Sequence, residues 1–216
     1  MGPWGSISRG ASEHPLFGMI ADGALLMIEQ HFLADTLLQL RKLKAQADGA
    51  VAQITPEDFF AVLGPEENSI ALIMKHVAGN MRSRWTDFLT SDGEKPDRNR
   101  DSEFELEPQN TREQVLTLWE DGWALVLSTV QSLRPEDLQR TVTVRGEAHT
   151  VLEAINRQLT HYAAHVGQIV LLGKHFAGER WQSLSIPRGR SRDVDVSKTA
   201  LASRSSSVDV PPTRFK

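Results

Sequence analysis

The chain has 216 residues, 40% of them hydrophobic and 24% charged, as expected for one soluble globular domain with tails. Its formal net charge of −4 argues against nucleic acid or a membrane surface as a partner bound through overall charge. The chain contains no cysteine, which excludes disulfides, thiolate metal ligands and a cysteine nucleophile. The apolar stretch 16–28 resembles neither a signal peptide nor a membrane span. We therefore expect a cytoplasmic protein.

The first elements follow from glycine content and helical periodicity. Residues 1–22 are rich in glycine and lack a period, which predicts an N-terminal extension. Apolar residues at helical spacing predict a first helix over about 24–47, which Gly49 ends or interrupts. Thr55 before Pro56 predicts a short helical turn, and a second long helix is predicted over 68–89.

The second half begins with a polar stretch, residues 91–110, that is longer than most connections and therefore functional or disordered. A capping box at 111–114 begins a third helix, which Pro135 ends. Residues 141–150 alternate around a glycine and predict a small hairpin or an extended segment. A second capping box at 150–153 begins a fourth helix, and Gly173 and Gly178 mark its end.

These elements predict the fold class and the domain limits. Four long amphipathic helices, few strands and one long crossover loop between helices 2 and 3 predict an all-α four-helix bundle over residues 23–190. Residues 191–216 carry few large apolar side chains and predict a disordered C-terminal tail. Three tryptophans are predicted to lie in the core: Trp85, Trp119 and Trp123.

Three histidines are the candidate metal ligands. His161 and His165 in LTHYAAHVGQIV are four residues apart, so a helix places both imidazoles on one side, about 6 Å apart along its axis. His76 in ALIMKHVAGNM completes a three-nitrogen set if its helix faces theirs. Three protein ligands leave an open position, as in catalytic metal sites. The spacing leaves two alternatives, a chance pair and hydrogen-bonded core histidines.

Other polar residues near these helices are candidates for substrate chemistry. Three lie near the ligand faces and are candidate catalytic or orienting residues: Asn80, Tyr162 and Gln168. Arginines in the second helix and the polar stretch are candidate clamps for a substrate carboxylate or phosphate, namely Arg84, Arg98 and Arg100. Salt bridges to the acidic residues of the same stretch are the alternative. Two acidic residues there, Asp101 and Glu103, are candidate acid/base groups.

Four sequence blocks resemble a known family. The blocks are NSIxxxxKHxxGNMRSRWTDFLTSDGEK at 68–95, RNRDSEF at 98–104, RGExHTVxEAIxRQLTHYxxHVGQI at 145–169 and LSIPRG at 184–189. Together they resemble a bacterial family of uncharacterised proteins in the DinB/YfiT-like superfamily, over most of residues 25–190. The resemblance implies an antiparallel-type four-helix bundle and a site for zinc, nickel or a similar divalent ion, whose ligands fall on His76, His161 and His165.

Two classes of function remain open. DinB-like proteins include proteins assigned as metal-dependent hydrolases and enzymes that transfer a low-molecular-weight thiol, so the first class is a metal-dependent transferase or hydrolase with a small-molecule substrate. The second is a noncatalytic metal-binding or stress-related helical bundle; a homodimer is a further expectation. Any thiol must come from a cosubstrate, since the chain has no cysteine. A cavity that opens from the metal site and is lined by residues 91–110 would favour the enzyme, and a sealed site would favour the alternative.

Overall fold

The computed structural model describes residues 15–108, 110–190 and 192, with side chains from residue 23 onward. Within these ranges the protein is mostly helical, as predicted, with five helices and one two-stranded antiparallel hairpin. The elements are α1 (Pro15–Val51), α2 (Pro56–Phe60), α3 (Ile70–Trp85), α4 (Arg112–Ser132), β1 (Thr141–Val144), β2 (Glu147–Thr150) and α5 (Val151–Ala177).

The four long helices share one hydrophobic core. Helix α3 packs against α4 and α5, and α1 packs against the same two helices. The three tryptophans predicted for the core are each at most 2% exposed, which confirms that prediction. Each such side chain buries about 150–250 Å² of surface, so together they contribute strongly to the core that the long helices share. Trp85 also donates a hydrogen bond from Nε1 to the Tyr162 hydroxyl of α5, at 2.8 Å.

The long connection between α3 and α4 joins two neighbouring helices that run in the same direction, and this pair differs from the antiparallel-type arrangement that the resemblance implies. Lys75, near the start of α3, donates to Asn110 just before α4, while Trp85 at the end of α3 lines one cavity with Leu133 just after α4. A helix of 16 residues is about 24 Å long, so the chain has to return over that distance before α4 begins. This return accounts for the length of residues 86–111 and brings their polar side chains against the bundle.

The predicted helix starts are confirmed by their caps. The side chains of Thr55, Thr111 and Thr150 each accept a hydrogen bond from the backbone three residues later, and each forms a capping box. The predicted hairpin is also present, with Thr141 opposite Thr150 and Val144 opposite Glu147. These local signals depend on neighbouring residues in the chain, which is why the sequence alone predicts them.

Three predicted helix boundaries differ from the structure. Helix α1 begins at Pro15 instead of near residue 24 and continues through Gly49 to Val51. Gly49 serves close packing, because an added Cβ there would lie 2.7 Å from Leu184 Cδ2. Helix α3 ends at Trp85 instead of near residue 89, because Thr86 is extended and Asp87 takes a left-handed conformation with φ of 49°.

The predicted extension and tail lie largely outside the described residues. Of residues 1–22, the part from Pro15 onward belongs to α1, and of residues 191–216 the structure describes residue 192 alone. Among the described helices, none combines the length and the apolar character needed to cross a membrane.

Candidate metal centre

The three predicted histidine ligands come together between α3 and α5. His76 lies on α3, and His161 and His165 lie one turn apart on α5, which packs against α3. One ring nitrogen from each histidine lies within 4.8 Å of the other two. The Nε2 atoms of His161 and His165 are 3.1 Å apart. The structure therefore places three imidazoles around one point.

Hydrogen bonds orient two of the three rings. Nδ1 of His76 lies 2.8 Å from Oε2 of Glu103, and Nδ1 of His165 lies 2.9 Å from Oε1 of Gln168. A carboxylate oxygen and an amide oxygen both accept, so each Nδ1 carries the proton and donates it. This leaves Nε2 of each ring directed to the centre, the arrangement in which the partner of a metal-binding histidine fixes the tautomer.

Burial keeps the two histidines of α5 neutral. Burial, together with the nearby His165, lowers the pKa of His161 to about 4. Burial also lowers the pKa of His165. The neutral imidazole is the form that binds a metal, so neither ring has to lose a proton at neutral pH to become a ligand.

The donor set fits a divalent transition metal. With the Nε2 lone pair of His165 directed at Nε2 of His161 over 3.1 Å, a proton or a cation has to lie between the two nitrogens. In a tetrahedral zinc site with Zn–N of about 2.0–2.1 Å, ligand nitrogens are about 3.3 Å apart, close to this separation. Three neutral imidazoles suit zinc or nickel and leave a coordination position open.

Glu103 connects His76 to a buried ion pair. It lies in a 3₁₀ turn, Asp101–Phe104, within the long connection. Arg98 donates from Nε to Oε1 at 2.8 Å and from Nη2 to Oε2 at 2.9 Å, a bidentate pair. Burial raises the pKa of Glu103, but hydrogen bonds from His76 and Arg98 outweigh it, so the net pKa lies below its ordinary value. Glu103 is therefore an ionised acceptor for His76.

Gly79 permits the close approach of Glu103. It lies on α3 three residues after His76, and a Cβ added there would be 2.7 Å from Cδ of Glu103. Any larger residue at position 79 would push the carboxylate away from His76. The sequence alone gave no sign of this role, because a glycine within a helix has no distinctive spacing.

The predicted arginine clamps lie close to the centre, and two of them form internal ion pairs. Arg98 pairs with Glu94 as well as with Glu103, and Arg84 donates from Nη2 to Oε2 of Glu94 at 3.0 Å. Arg84 also donates to the Gly93 carbonyl. These contacts correspond to the alternative of salt bridges to the acidic stretch.

Arg100, the third predicted clamp, lies over an aromatic ring beside the centre. Its guanidinium carbon is 5.1 Å from the centroid of Phe104, and the Phe104 ring stacks on that of His76 with centroids 4.5 Å apart. Asp101, a candidate acid/base group, is exposed at the start of the 3₁₀ turn.

The three candidate catalytic residues occupy different surroundings. The Tyr162 hydroxyl is fully buried, accepts from Trp85 and donates to Oδ1 of Asn80 at 3.4 Å; burial raises the pKa of Tyr162. Asn80 lines the cavity next to the histidines. Gln168 is exposed and contacts His165, so its observed contact orients a ring of the centre.

A cavity of about 180 Å³ adjoins the centre and contains residues that the sequence did not single out. Its lining comprises His76, Asn80, Gln158, His161 and five arginines, namely Arg84, Arg98, Arg100, Arg145 and Arg157. Arg157 and Gln158 precede His161 by four and three residues, so helical spacing could have identified them as its neighbours. Arg145 lies in the hairpin turn, at the start of the sequence block that contains His161 and His165, but no helical spacing places it beside them.

The comparisons with known proteins identify a family and no characterised relative. No curated protein and no solved structure matches the chain. The model of the DUF1572 family, described as a protein of unknown function, matches residues 27–190. This span includes the three histidines, Glu103 and the whole connection between α3 and α4. The chain therefore belongs to the DUF1572 family of proteins of unknown function.

Proposed function

We propose that the protein is a divalent-metal-dependent enzyme that transfers a low-molecular-weight thiol to a small molecule or hydrolyses a small molecule. The observation that carries this proposal is the convergence of His76, His161 and His165, with one nitrogen of each within 4.8 Å of the others. The hydrogen bonds of His76 to Glu103 and of His165 to Gln168 support it, because they direct both Nε2 atoms to the centre.

We further propose that the protein belongs to the DinB/YfiT-like superfamily. We assign the four long helices to a DinB-like four-helix bundle, with the long crossover between its second and third helices. The resemblance of the blocks around His76 and His161 supports this assignment, and so does the packing of α3 against both α4 and α5. Zinc and nickel are the proposed metals, because both accept three imidazole ligands.

The residues of the centre supply distinct parts of the chemistry. A divalent ion held by three neutral imidazoles keeps its full positive charge and would activate a bound water or thiol. His161 and His165 remain neutral because they are buried. Glu103 accepts the Nδ1 proton of His76 and so keeps that ring in the tautomer that presents Nε2.

The cavity beside the centre supports an enzyme over a noncatalytic metal-binding bundle. His76 and His161 line it, so a small molecule within it would contact the centre directly. Arg98 and Arg100 of the long connection line the same cavity, which is the arrangement expected for a substrate site. A noncatalytic site would need neither an adjoining cavity nor a loop directed into it.

Metal analysis of the purified full chain tests the first part of the proposal. After loading with zinc or nickel and removal of excess metal, we expect about one ion per chain in the wild type, as for a three-histidine site. His165→Ala and His76→Ala should lose stoichiometric metal and keep their helical circular dichroism. His175→Gln is the matched control, since His175 is an exposed histidine on the same helix and should not affect metal content. Retention of one ion by His165→Ala would contradict the proposal.

Activity screens with the metal-loaded protein test the second part. One screen follows thiol transfer from low-molecular-weight thiols to electrophilic acceptors, and the other follows hydrolysis of small esters and amides. Turnover in one of the two should appear in the wild type and disappear in His165→Ala. Full metal occupancy without turnover in either screen would favour the noncatalytic alternative.

A further inference from the structure

The cavity beside the centre carries an excess of positive charge. Five guanidinium groups line it, and none of the described residues that line it is acidic. Two carboxylates pair with these arginines, Glu94 and Glu103, and neither lines the cavity, so three of the five positive charges remain in excess before any metal is counted. Guanidinium groups in a partly enclosed space favour a planar or tetrahedral oxyanion, which they bind through several donors at once.

Arg145 occupies a position where the backbone disfavours an arginine. It has φ of 57°, followed by Gly146 with φ of 77°, so the pair forms the turn of the β1–β2 hairpin in the left-handed region. Asparagine followed by glycine is the favoured pair for such a turn, and other residues are strained there. The Arg145 side chain reaches Glu94 and lines the cavity, so the strained residue contributes a charge to the site.

Arg157 and Gln158 on α5 have unused hydrogen-bonding capacity at the same cavity. Arg157 is exposed, and its guanidinium has no ion-pair partner within the described part of the chain. Gln158 is only 5% exposed, and its Oε1 is buried without a hydrogen-bond partner among the described residues. Oε1 is an acceptor, and an unpaired buried acceptor costs stability unless a ligand or water donates to it. This position therefore points to a hydroxyl, an N–H group or a water in the cavity, and the arginines alone are suited to an anion.

We propose that this cavity binds the oxyanion group, a carboxylate or a phosphate, of the small-molecule substrate. Arg100 and Arg157 have no carboxylate partner among the described residues and supply unpaired charge, and Arg145 adds a guanidinium that shares Glu94 with Arg84. Gln158 Oε1 would accept from a hydroxyl or N–H group elsewhere on the bound molecule. Arg84 and Arg98 are held by Glu94 and Glu103 and complete the positive surroundings. That this anion is part of a substrate rests on the proposed function. His76 and His161 line the same cavity, so a metal that they hold would act on the rest of the molecule.

The size of the cavity and the charge of the chain limit the kind of anion. The cavity has about 180 Å³, which suits a small molecule. The chain as a whole has a formal net charge of −4, which would repel a polyanion such as nucleic acid from the remaining surface. The substrate class is therefore a small organic acid or a small phosphate ester.

Calorimetric titration of the metal-free full chain tests the inference without activity. Inorganic phosphate and acetate are the two probes, and the one that binds more tightly shows which acid the substrate carries. Arg157→Gln and Arg145→Asn should each weaken binding of that probe by about tenfold to a hundredfold, because each removes a charged hydrogen bond. Arg180→Gln, an exposed arginine outside the cavity, is the matched control and should bind as the wild type does.

Two controls separate loss of the anion site from unfolding and from loss of the metal site. Asparagine suits the left-handed backbone, so Arg145→Asn should unfold at the wild-type temperature or above it although its anion binding is weaker. His165→Ala should lose metal but still bind the probe, so failure of the proposed metal site is distinguishable from failure of the anion site. The inference is overturned if neither probe binds, or if both cavity variants bind as tightly as Arg180→Gln.

Discussion

His76 on α3 and His165 on α5 face the same point but are held in different ways. His76 is 4% exposed and donates to the ionised carboxylate of Glu103, which is itself bonded twice by Arg98. His165 is partly exposed and donates to the neutral amide of Gln168, a residue of its own helix. Hydrogen bonds to an ionised acceptor are roughly twice as strong as neutral ones, so the α3 side is held more firmly.

The difference follows from how each side is built. On α5, the spacing of four residues aligns His161 with His165 without help from another element. On α3 there is a single histidine, and its partner Glu103 comes from the connection that returns along the bundle. Substitutions should therefore affect metal affinity most on the α3 side, where the support depends on a separate segment of the chain.

The largest effect is expected for Glu103. Glu103→Gln keeps the size of the side chain but removes the charge that accepts from His76 and pairs with Arg98. Metal affinity should fall by about 10–100-fold, as is usual when the hydrogen-bond partner of a histidine ligand is lost. Competition with a chelator of known affinity would measure it. Glu105→Gln in the same segment is the control, and an equal loss there would remove the special role of Glu103.

On the α5 side, the pH dependence of the metal-free protein should report His161. Its pKa of about 4 lies below the 6.5 of an unfolded histidine, so the unfolded chain binds more protons between these values. The contribution of neutral His161 to the free energy of unfolding should be complete above pH 6.5 and should decrease as the pH drops toward 4. Because His161 is partly exposed, we expect this fall to be about 1–2 kcal/mol.

Thermal unfolding of the metal-free wild type and of His161→Gln at neutral and acidic pH checks this expectation. Glutamine does not titrate, so the variant should lose less stability on acidification than the wild type does. Parallel losses in the two proteins would show that His161 is not held neutral by burial.

Gly79→Ala tests the support of His76 by Glu103 without removing any polar group. The added methyl would meet the Glu103 side chain and displace its carboxylate from His76. Metal affinity should fall by about 3–10-fold. The unfolding temperature should change little, because the preference of alanine over glycine for a helix, about 1 kcal/mol, offsets the displacement of Glu103. Gly167→Ala on α5 is the matched control, because its methyl meets nothing within 4 Å. Equal affinities for the two variants would contradict the role assigned to Gly79.

The smallest effect is expected for Gln168. Gln168→Ala removes the acceptor of His165 at an exposed position of α5. The ring would turn more freely, and we expect metal affinity to fall by only about 2–3-fold, since helix geometry still places the ring beside His161. A loss as large as that of Glu103→Gln would show that the two sides are held equally firmly.

The sequence predicted the parts of this molecule that depend on short spacings. Capping boxes at Thr111 and Thr150 and the hairpin at 141–150 are local patterns, and the structure contains them. The His161 and His165 pair follows in the same way from helical periodicity. Helix ends were less accurate, because Gly49 remains helical where Leu184 packs against it.

Gln168, which orients His165 on its own helix, was among the candidate orienting residues. The support on the α3 side could not be predicted, because it depends on contacts distant in the chain. Glu103 reaches His76 across 27 residues, and Arg145 reaches Glu94 across 51. Glu103 was a candidate acid/base group, and nothing in the sequence related it to Nδ1 of His76. Arg84 and Arg98 were candidate substrate clamps, and their pairing with Glu94 became visible only once the connection was placed on the bundle.

X-ray absorption spectroscopy of the zinc-loaded full chain would show directly whether His76, His161 and His165 bind the metal. We expect three imidazole nitrogens at about 2.0–2.1 Å and one further light-atom ligand in the wild type. His165→Ala, which should lose stoichiometric zinc, should not give this spectrum. A shell of oxygen ligands without imidazole scattering, or a spectrum unchanged by His165→Ala, would show that His76, His161 and His165 do not hold the metal.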